Sequence, residues 1–296
     1  MDATKNNCDR DAADLSEAVM RHQRDWAALR GVEVDDADLT ADLDSNLFAP
    51  LSQRTHAEIE ESRPSLLGSE EKTGEMSLLH STAALVHNVF DYWRGRIATP
   101  IERACGAAPS ADALELHFAA SPASAGGAAD ASAADVVLAT GAHPTVVAAS
   151  FLEPYAYVDN QPGGSLADPS DEAGWSGLQA CRSLALDLRS DARRFRHLGV
   201  ARLLGLGQTW TREAGERGFR LLYLWYDGGG PAAARIRGEI DRFRMRAGGE
   251  IHFVARSWQE LFRDLRGSQS SRADGDDHAM YLQYLSSRYF PVDGPA

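Results

Sequence analysis

The stretch that most constrains the fold runs from position 134 to 155 and reads ADVVLATGAHPTVVAASFLEPY. Two apolar runs rich in valine flank a short segment that contains a glycine and a proline. Runs of this kind, separated by turn residues, are typical of two strands joined by a tight turn. The first predicted strand starts with one acid, Asp135, and the second ends in two alanines and Ser150. This segment therefore predicts a buried β-hairpin with a single carboxylate at one edge.

The composition fits a globular protein without a membrane span. Of the 296 residues, 44% are hydrophobic, and no run of eighteen apolar residues occurs. The N-terminus is polar and acidic, which is unlike a secretory signal peptide. The three cysteines, at positions 8, 105 and 181, are too far apart for a disulfide framework or a zinc site of paired cysteines. We therefore expect a cytoplasmic protein with reduced thiols and no membrane contact.

Charge is unevenly distributed along the chain. The formal net charge is −13, which repels a polyanion such as DNA at long range. Acidic residues crowd the N-terminal third and the segment 159–172, whereas arginines concentrate at 189–202 and 235–246. Two interpretations stay open, because these arginines can form a local basic face or line solvated helix faces. Lysine occurs only at positions 5 and 72, both before the predicted hairpin.

The pattern of elements predicts an α/β protein. Helical periodicity is strong over 77–94, and the apolar run over 219–226 is typical of a strand buried on both faces. Ser257, followed three residues later by Glu260, predicts a capped helix start. A linker is predicted over 62–74. Further predictions are helices over 14–30, 100–105, 175–189, 191–206, 232–246 and 277–290, strands over 114–118 and 251–255, and a flexible loop over 122–134. This order of elements predicts one mixed sheet covered by helices.

Seven separate blocks of the sequence resemble one protein family. They read MSLLHSTAALVHNVFDYWRGR at 76–96, ADVVL at 134–138, VVAASFLEPY at 146–155, FRHLGVARLLGLG at 195–207, LLYLWYD at 221–227, SWQELF at 257–262 and HAMYLQYLSSRYF at 278–290. Through these blocks the chain is similar to bacterial restriction endonucleases of the PD-(D/E)xK nuclease superfamily. The resemblance implies a helical, acidic N-terminal extension over 1–75 and a restriction-endonuclease-like domain over 76–296, with a mixed central sheet flanked by helices. It also implies hydrolysis of DNA phosphodiester bonds with Mg²⁺ as the cofactor.

The resemblance further implies a divalent-metal site on the predicted hairpin. Asp135 is the acid of the first strand, Glu153 matches a family glutamate, and Glu115 matches an acid that similar proteins carry before the hairpin. These three are the expected catalytic residues, and Asp135 and Glu153 are the expected metal ligands. Glu153 lies out of phase with the second strand, so it reaches a metal there only if the strand bends near Pro154.

Two charged groups of the family pattern are missing from the second strand. Counting back from the matching FLEPY segment, the family glutamate falls on Ala148 and the family lysine on Ser150. Ser150 can hydrogen-bond a water, but it cannot act as a charged group. In the block 195–207 the chain is shortened, and Arg202 stands where similar proteins have a glutamine. Arg202 and Ser150 are the expected substrate-binding residues.

This combination leaves two functions open. The first is a metal-dependent DNA endonuclease with impaired catalysis, in which Asp135, Glu115 and Glu153 converge in one cleft with arginines on its rim. The second is a catalytically inactive homologue that serves as a DNA-binding or protein-interaction module, in which the carboxylates are dispersed. DNA is the expected partner, and a homodimer is an open alternative to a monomer.

Each candidate residue also has a structural interpretation. Asp135 can be a turn acid at a strand start, Glu115 a solvated strand residue, and Glu153 an acceptor for loop amides. His80 and His87 lie on one predicted helix and can contact phosphate or metal, although a partly buried, hydrogen-bonded histidine is the more common case.

Overall fold

The structure is a computed structural model that describes residues 2–69, 72–110, 113–121, 133–139, 143–158, 160, 168–247, 249–268 and 275–290. Nearly all of the predicted loop over 122–134 lies outside these residues. The helices are α1 (Asp2–Arg30), α2 (Gln53–Ser62), α3 (Thr82–Phe90), α4 (Thr99–Ala104), α5 (Gln179–Ser190), α6 (Val200–Ala214), α7 (Gly230–Ala247), α8 (Trp258–Gly267) and α9 (Gly275–Arg288). The strands are β1 (Leu116–Phe118), β2 (Val136–Leu138), β3 (Thr145–Ala149), β4 (Arg220–Trp225) and β5 (His252–Ser257). No helix within the described ranges has both the length and the apolar character needed to cross a membrane.

The described strands form one mixed sheet in the order β1-β2-β3-β4-β5. β2 is antiparallel to both β1 and β3, whereas β4 is parallel to both β3 and β5. The predicted hairpin is confirmed, with Val136 opposite Val147 and Leu138 opposite Thr145. The predicted α/β architecture, a mixed sheet flanked by helices, is also confirmed.

Side chains along each strand point alternately to the two faces of the sheet, and each face has its own apolar core. Val136, Val147 and Leu222 lie on one face of the sheet and join the apolar side chains of α3, α8 and α9. Val137 and Leu221 lie on the other face, with the side chains of α5, α6 and α7. Because successive residues of a strand point to opposite faces, a strand between two helix layers is apolar throughout. All six residues of β4 are buried, which confirms the prediction for this run.

Local capping signals set the starts of two helices. Ser257 accepts a hydrogen bond from the Glu260 amide, and the Glu260 carboxylate accepts from the Ser257 amide, which is the predicted cap of α8. α3 begins at Thr82, later than predicted. The reason is that the Ser81 side chain accepts from the amide of Ala84 and caps the helix there.

The helix predicted over 191–206 is wrong in its first half. α6 begins only at Val200. The preceding amides, at positions 196 to 198, donate instead to the carboxylate of Glu239 on α7, each at 2.9 Å. A buried amide needs a partner, and a distant side chain satisfies it as well as a helical carbonyl does. The segment before α6 therefore contains only a short turn of 3-10 helix, Ala192–Arg194, followed by a loop that Glu239 holds in place.

The N-terminal segment 1–75 packs into the same core as one face of the sheet. Trp26 of α1 and Ile59 of α2 are buried together with Phe90 of α3 in a continuous apolar cluster. The Trp26 ring also meets the Tyr284 ring of α9 edge-on, with 5.7 Å between the centroids. Edge-on aromatic pairs add to the stability gained from apolar burial. This segment and α9 therefore stabilise each other.

Arg288 of α9 joins several segments inside this core, and its side chain is fully buried. All five of its N–H groups donate to protein acceptors. The acceptors are the side-chain oxygen of Gln23 at 3.2 Å, the carbonyl oxygen of Asn46 at 2.7 Å, the hydroxyl of Tyr284 at 2.6 Å, the carbonyl oxygen of Leu79 at 3.1 Å and the side-chain oxygen of Asn46. The planar fork of a guanidinium suits such a set of fixed acceptors. The Arg288 guanidinium therefore connects these segments by donating hydrogen bonds to neutral groups.

Candidate functional site

Asp135 lies at the edge of the sheet, one residue before β2. Its amide donates to the carbonyl oxygen of Val147 at 3.0 Å, and Val147 is also the residue opposite Val136. Asp135 and Val136 thus meet the same residue of β3. Ala148 follows Val147 on β3 and packs on the face of the sheet that α6 covers. Positions 135 and 148 therefore lie on paired strands, as the hairpin pattern predicts.

Two arginines and one amide surround the Asp135 carboxylate. Nη2 of Arg202 lies 2.8 Å from one carboxylate oxygen, and Nη1 of Arg63 lies 3.2 Å from the other. The amide of Ala149 donates to the first oxygen at 2.6 Å. The Asp135 side chain is only 6% exposed. A buried carboxylate of this kind is stable because its charge is paired and hydrogen-bonded.

Arg202 of α6 also binds the backbone at the edge of the hairpin. It donates to the carbonyl oxygens of Ala149 and Ala133, both at 3.3 Å. Burial lowers the pKa of the Arg202 guanidinium, but the nearby Asp135 carboxylate outweighs this, and the pKa is raised above its ordinary value. Arg202, which is expected to bind substrate, thus donates several of its N–H groups to other atoms of the protein.

Glu153 lies in a short turn of 3-10 helix directly after β3. One carboxylate oxygen accepts from the Thr82 hydroxyl at 2.6 Å, and the other accepts from the Phe151 amide at 2.7 Å. The chain bends away from the direction of β3 here, which is the condition under which Glu153 could reach a metal at the hairpin. However, the carboxylate bonds to the first turn of α3 and to its own loop. Glu153 therefore accepts a hydrogen bond from a loop amide, which is the structural alternative that the sequence allowed for it.

Asp135 and Glu153 line one cleft, with a volume of about 420 Å³. The other charged or titratable residues on its wall are Arg63, Arg202, Glu75 and His80. Three carboxylates and two guanidinium groups leave the cleft close to electrical neutrality. A divalent-metal centre of a nuclease, by contrast, concentrates acidic ligands.

The structure does not bring Glu115 to this cleft. The carbonyl oxygen of Glu115 accepts from the amide of Ala139, at the turn end of the hairpin. Asp135 lies four residues before Ala139, which corresponds to ~13 Å along an extended strand. The Glu115 carboxylate pairs with Arg54 at 3.1 Å, and this hydrogen bond lowers the pKa of the Glu115 carboxyl. The convergence of all three acids that an endonuclease requires is therefore not found.

Small side chains occupy the two positions where the family pattern has charged groups. Ala148 is buried and lies opposite Tyr223 of β4. Ser150 continues β3 by donating its amide to the carbonyl oxygen of Leu224 at 2.8 Å, and its own carbonyl oxygen accepts from Nε1 of Trp258 at 3.0 Å. Neither position is among the residues that line the cleft. The cleft thus receives no charged ligand from the second strand of the hairpin.

The residues around Asp135 do not fit a Mg²⁺ ion. Mg²⁺ demands oxygen ligands in near-octahedral geometry and is held in proteins by carboxylates and waters. Both oxygens of Asp135 already face a guanidinium group, and the carbonyl oxygen of Ala149 accepts from Arg202. Within the ranges that the structure describes, no three His, Cys, Asp or Glu side chains are grouped to hold a metal ion. No metal-dependent step follows from this arrangement.

Two residues of the cleft, Arg63 and Thr82, are not among the predicted site residues. Arg63 falls in a segment predicted as a linker, and its partner Asp135 is 72 positions away, so no local spacing identifies it. Thr82 is the first residue of α3 and follows the capping Ser81. The cap is a usable signal, because it places the Thr82 hydroxyl at an exposed helix start.

Two histidines are expected to make the fold sensitive to mild acid. Burial lowers the pKa of both His80 and His87, so the folded protein binds their protons more weakly than the unfolded chain does. The stability that depends on neutral imidazole is complete above the unfolded pKa of about 6.5 and is lost as the pH falls below it. We therefore expect a lower melting temperature at about pH 5.5 than at about pH 7.5, measured by thermal scans at constant ionic strength.

A pair of variants separates this effect from general acid sensitivity. The exchange His87→Gln should reduce the difference in melting temperature between the two pH values, because it removes one buried titrating group. The exchange His252→Gln, at an exposed position of β5, should leave the difference as it is. Equal pH dependence in both variants would contradict the assignment to His87.

No protein-family model, curated protein or solved structure matches this chain. Its function therefore has to be inferred from the geometry of the cleft and from the chemistry that its side chains can support.

Proposed function

We propose that this chain is a restriction-endonuclease-like protein that binds DNA without hydrolysing it. The proposal rests mainly on one observation. The Asp135 carboxylate is held between Arg202 and Arg63, at 2.8 and 3.2 Å, in the position where a nuclease of the PD-(D/E)xK type carries the acid that binds its metal. Two guanidinium groups thus supply the positive charge that a metal ion supplies in such an enzyme.

Charge repulsion opposes the entry of a divalent ion. Two unit charges ~4 Å apart interact by about 4 kcal/mol at the effective dielectric near a protein surface, and a dication doubles this. A Mg²⁺ ion that binds one oxygen of Asp135 would therefore have to displace the guanidinium on that oxygen, which is Arg202 on one side and Arg63 on the other. It would break a charge-assisted contact, would be repelled by the guanidinium that remains, and would gain one carboxylate ligand. This exchange is unfavourable, because Mg²⁺ also gives up its own waters reluctantly.

The cleft also lacks the groups that activate a water molecule. A metal ion lowers the pKa of the attacking water and polarises the phosphate, and a second acid and a lysine support it in the family pattern. Ala148 and Ser150 supply neither of these groups. Loss of one group that stabilises transition-state charge typically costs about a hundredfold or more in rate. With all of these functions missing, hydrolysis above background is not expected.

The partly exposed arginines of the cleft support a binding role. The side chains of Arg63 and Arg202 are 23% and 33% exposed, respectively. Each can therefore present N–H donors to a phosphate while it stays anchored on Asp135. Contacts of this kind position a protein on nucleic acid without reading its sequence.

A cleavage assay with a metal-site control tests the proposal. The purified full chain is incubated with supercoiled plasmid in Mg²⁺ or Mn²⁺, beside the isosteric variant Asp135→Asn. We expect both proteins to leave equal amounts of nicked and linear DNA, and we expect titration calorimetry with Mn²⁺ to give no heat that depends on Asp135. Metal-dependent nicking by the unmodified chain that disappears in Asp135→Asn would overturn the proposal.

Residual hydrolysis is a second candidate, because Asp135 and Glu153 line the same cleft. For both to act as ligands, Glu153 has to leave the Thr82 hydroxyl and the Phe151 amide, and Asp135 has to leave its arginines. The same assay distinguishes this candidate through a third protein. Glu153→Gln reduces metal-dependent nicking if Glu153 is a displaced ligand, and it leaves the background unchanged if the cleft only binds.

A further inference from the structure

A second groove, with a volume of about 450 Å³, lies between α7 and the loop before α6. From α7 it is lined by Arg235, Gly238, Glu239 and Arg242, and from the loop by Arg196 and His197. The four positions on α7 recur at intervals of three and four residues, so they share one face of the helix. We call this feature the arginine groove.

Glu239, the acid that lines the arginine groove, is hydrogen-bonded to backbone amides. The Glu239 carboxylate accepts from the consecutive amides of Arg196, His197 and Leu198, each at 2.9 Å. Hydrogen bonds from several amides stabilise a carboxylate where it stands and compensate its charge locally. Glu239 therefore shapes the loop, and it does not form an ion pair with an arginine of the groove in the part of the chain that the structure describes.

Two of the three arginines have aromatic rather than acidic neighbours. The Arg196 guanidinium lies 5.7 Å from the centroid of the Tyr157 ring, and the Arg242 guanidinium lies 5.4 Å from that of the Phe195 ring. Among the described residues, neither guanidinium forms an ion pair with a carboxylate. Contact with a ring face orients a guanidinium without cancelling its charge. Both groups thus keep a positive charge available to a ligand.

An exposed aromatic ring lies beside the same groove. Tyr157 is 60% exposed, and one face of its ring stacks on His197, with 5.9 Å between the centroids and 28° between the planes. His197 is itself buried and is held by a hydrogen bond between its Nδ1 and the carbonyl oxygen of Pro154, at 2.9 Å. Tyr157 is therefore a supported aromatic surface rather than a freely moving side chain.

We propose that the arginine groove binds a single-stranded nucleic acid. Positive groups that follow the backbone, combined with an aromatic ring on which a base can stack, are the features by which proteins bind single strands. Arg235 and Arg242 are two helical turns apart, which is about 10 Å, so they can contact separate phosphates of one strand. The exposed ring favours a single strand over a duplex, because only an unpaired base can leave its neighbours and stack on Tyr157.

The negative net charge does not prevent this interaction at moderate salt. The −13 of the whole chain is spread over the molecule, whereas the groove concentrates three guanidinium groups in one place. At 0.1 M salt the screening length is about 10 Å, so distant acids contribute little to the potential inside the groove. Short-range contact with the arginines then decides binding.

One acid of the N-terminal helix competes for the groove. Asp9 of α1 lies 3.4 Å from Nη1 of Arg235 and accepts from the Tyr157 hydroxyl at 3.1 Å. A phosphate that binds Arg235 therefore replaces a carboxylate. The exchange Asp9→Asn should tighten binding several-fold, because it removes this competitor and leaves the size of the side chain unchanged.

Binding of a fluorescein-labelled 15-nucleotide oligothymidylate to the full chain, followed by fluorescence anisotropy, tests the site. A Cβ atom added at Gly238 would meet nothing within 4 Å, so this position faces open space inside the groove. Gly238→Glu adds a negative charge there, and Gly238→Ala is the matched control, since both exchanges replace glycine with a better helix former. We expect the Kd to rise at least tenfold in Gly238→Glu and to stay unchanged in Gly238→Ala. Three phosphate contacts predict a slope of log K against log salt of about −2.

The aromatic half of the site has its own test. Tyr157→Ala should weaken binding at least fivefold, whereas Tyr157→Phe should retain it, because stacking uses the ring and not the hydroxyl. Three outcomes overturn the proposal: no binding of the oligothymidylate, equal binding by Gly238→Glu and Gly238→Ala, or displacement by poly-glutamate as effective as by unlabelled oligonucleotide. Duplex DNA that binds as tightly as the single strand, without an effect of Tyr157→Ala, also overturns it. These readouts do not depend on whether the Asp135 cleft hydrolyses DNA, so the two proposals can fail separately.

Discussion

Replacing Arg288 with methionine is expected to lower the free energy of unfolding by about 3–5 kcal/mol, because the exchange leaves several buried neutral acceptors without a donor. Methionine has a similar length but no N–H donor. The side-chain oxygen of Asn46 and the carbonyl oxygen of Leu79 would lose the donors that Arg288 provides. Each buried acceptor without a partner costs about 1–3 kcal/mol. The guanidinium also lies 4.2 Å from the centroid of Trp26, and this cation–π contact would be lost.

Urea unfolding followed by tryptophan fluorescence measures this loss. Arg263→Met is the matched control, because Arg263 is an exposed arginine on α8. Arg288→Lys should fall between the two variants, since an ammonium group has three donors and lacks the planar fork of a guanidinium. Equal unfolding midpoints for Arg288→Met and Arg263→Met would show that the buried guanidinium does not stabilise the core.

Metal-dependent cleavage is expected only when Arg202 is replaced together with Ala148 and Ser150. The family pattern by itself predicts that Ala148→Glu and Ser150→Lys suffice. In the fold, however, position 148 lies on the strand next to Asp135 and on the face of the sheet covered by α6, the helix that carries Arg202. A carboxylate introduced there would become a second ion-pair partner of Arg202 and would not be free for a metal. Arg202→Gln introduces the glutamine that the resemblance predicts at this position, and it removes the closer of the two cations on Asp135.

We expect the triple variant to nick plasmid in Mg²⁺ at least about a hundredfold faster than the double variant. Mg²⁺ should also raise its melting temperature, because two adjacent carboxylates repel each other until a cation binds. Arg212→Gln, at an exposed position of the same helix, replaces Arg202→Gln in the control triple variant and should leave it inactive. If the double variant matches the triple one, Arg202 is not the obstacle. If the triple variant gains neither nicking nor stability from Mg²⁺, the assignment of position 148 fails.

Elements with local signals could be predicted from the sequence. The hairpin of β2 and β3 follows from two short valine-rich runs around a turn, and β4 follows from an apolar run long enough for one strand. The start of α8 follows from Ser257 and Glu260, which are three residues apart. In each case the residues that determine the structure are neighbours in the chain, so periodicity and spacing contain the information.

Elements that depend on distant partners could not be predicted in the same way. The helix predicted over 191–206 is interrupted before Val200 because Glu239, on another helix, binds the amides of residues 196 to 198. Arg288 has the pattern of an ordinary basic residue at the end of a helix, where positive charge is favourable. Its burial depends on Gln23, which is 265 positions away. No window of sequence includes both members of such a pair.

The candidate site could likewise be predicted where its contacts are local in sequence, and not where they are distant. The neighbourhood of positions 135 and 148 follows from the hairpin, and the structure also brings Asp135 and Glu153 to one cleft. The pattern did not indicate that Arg202 and Arg63 bind Asp135, because one comes from α6 and the other from the segment after α2. Glu115 was grouped with these acids by its place before the hairpin, yet the antiparallel register puts it at the opposite end.

The contact between α1 and α9 has a consequence for how the chain matures. His22 bonds to the carbonyl oxygen of Ser287 at 3.0 Å, and Trp26 packs on Tyr284, so partners in the core are separated by most of the polypeptide. A ribosome releases α1 long before it has synthesised α9. During that interval the part of α1 that packs on α9 lacks this partner and stays exposed to chaperones and to other nascent chains. Closure of this core therefore follows translation of α9, and it needs a contact of very high sequence separation, the kind of contact that is associated with slow folding.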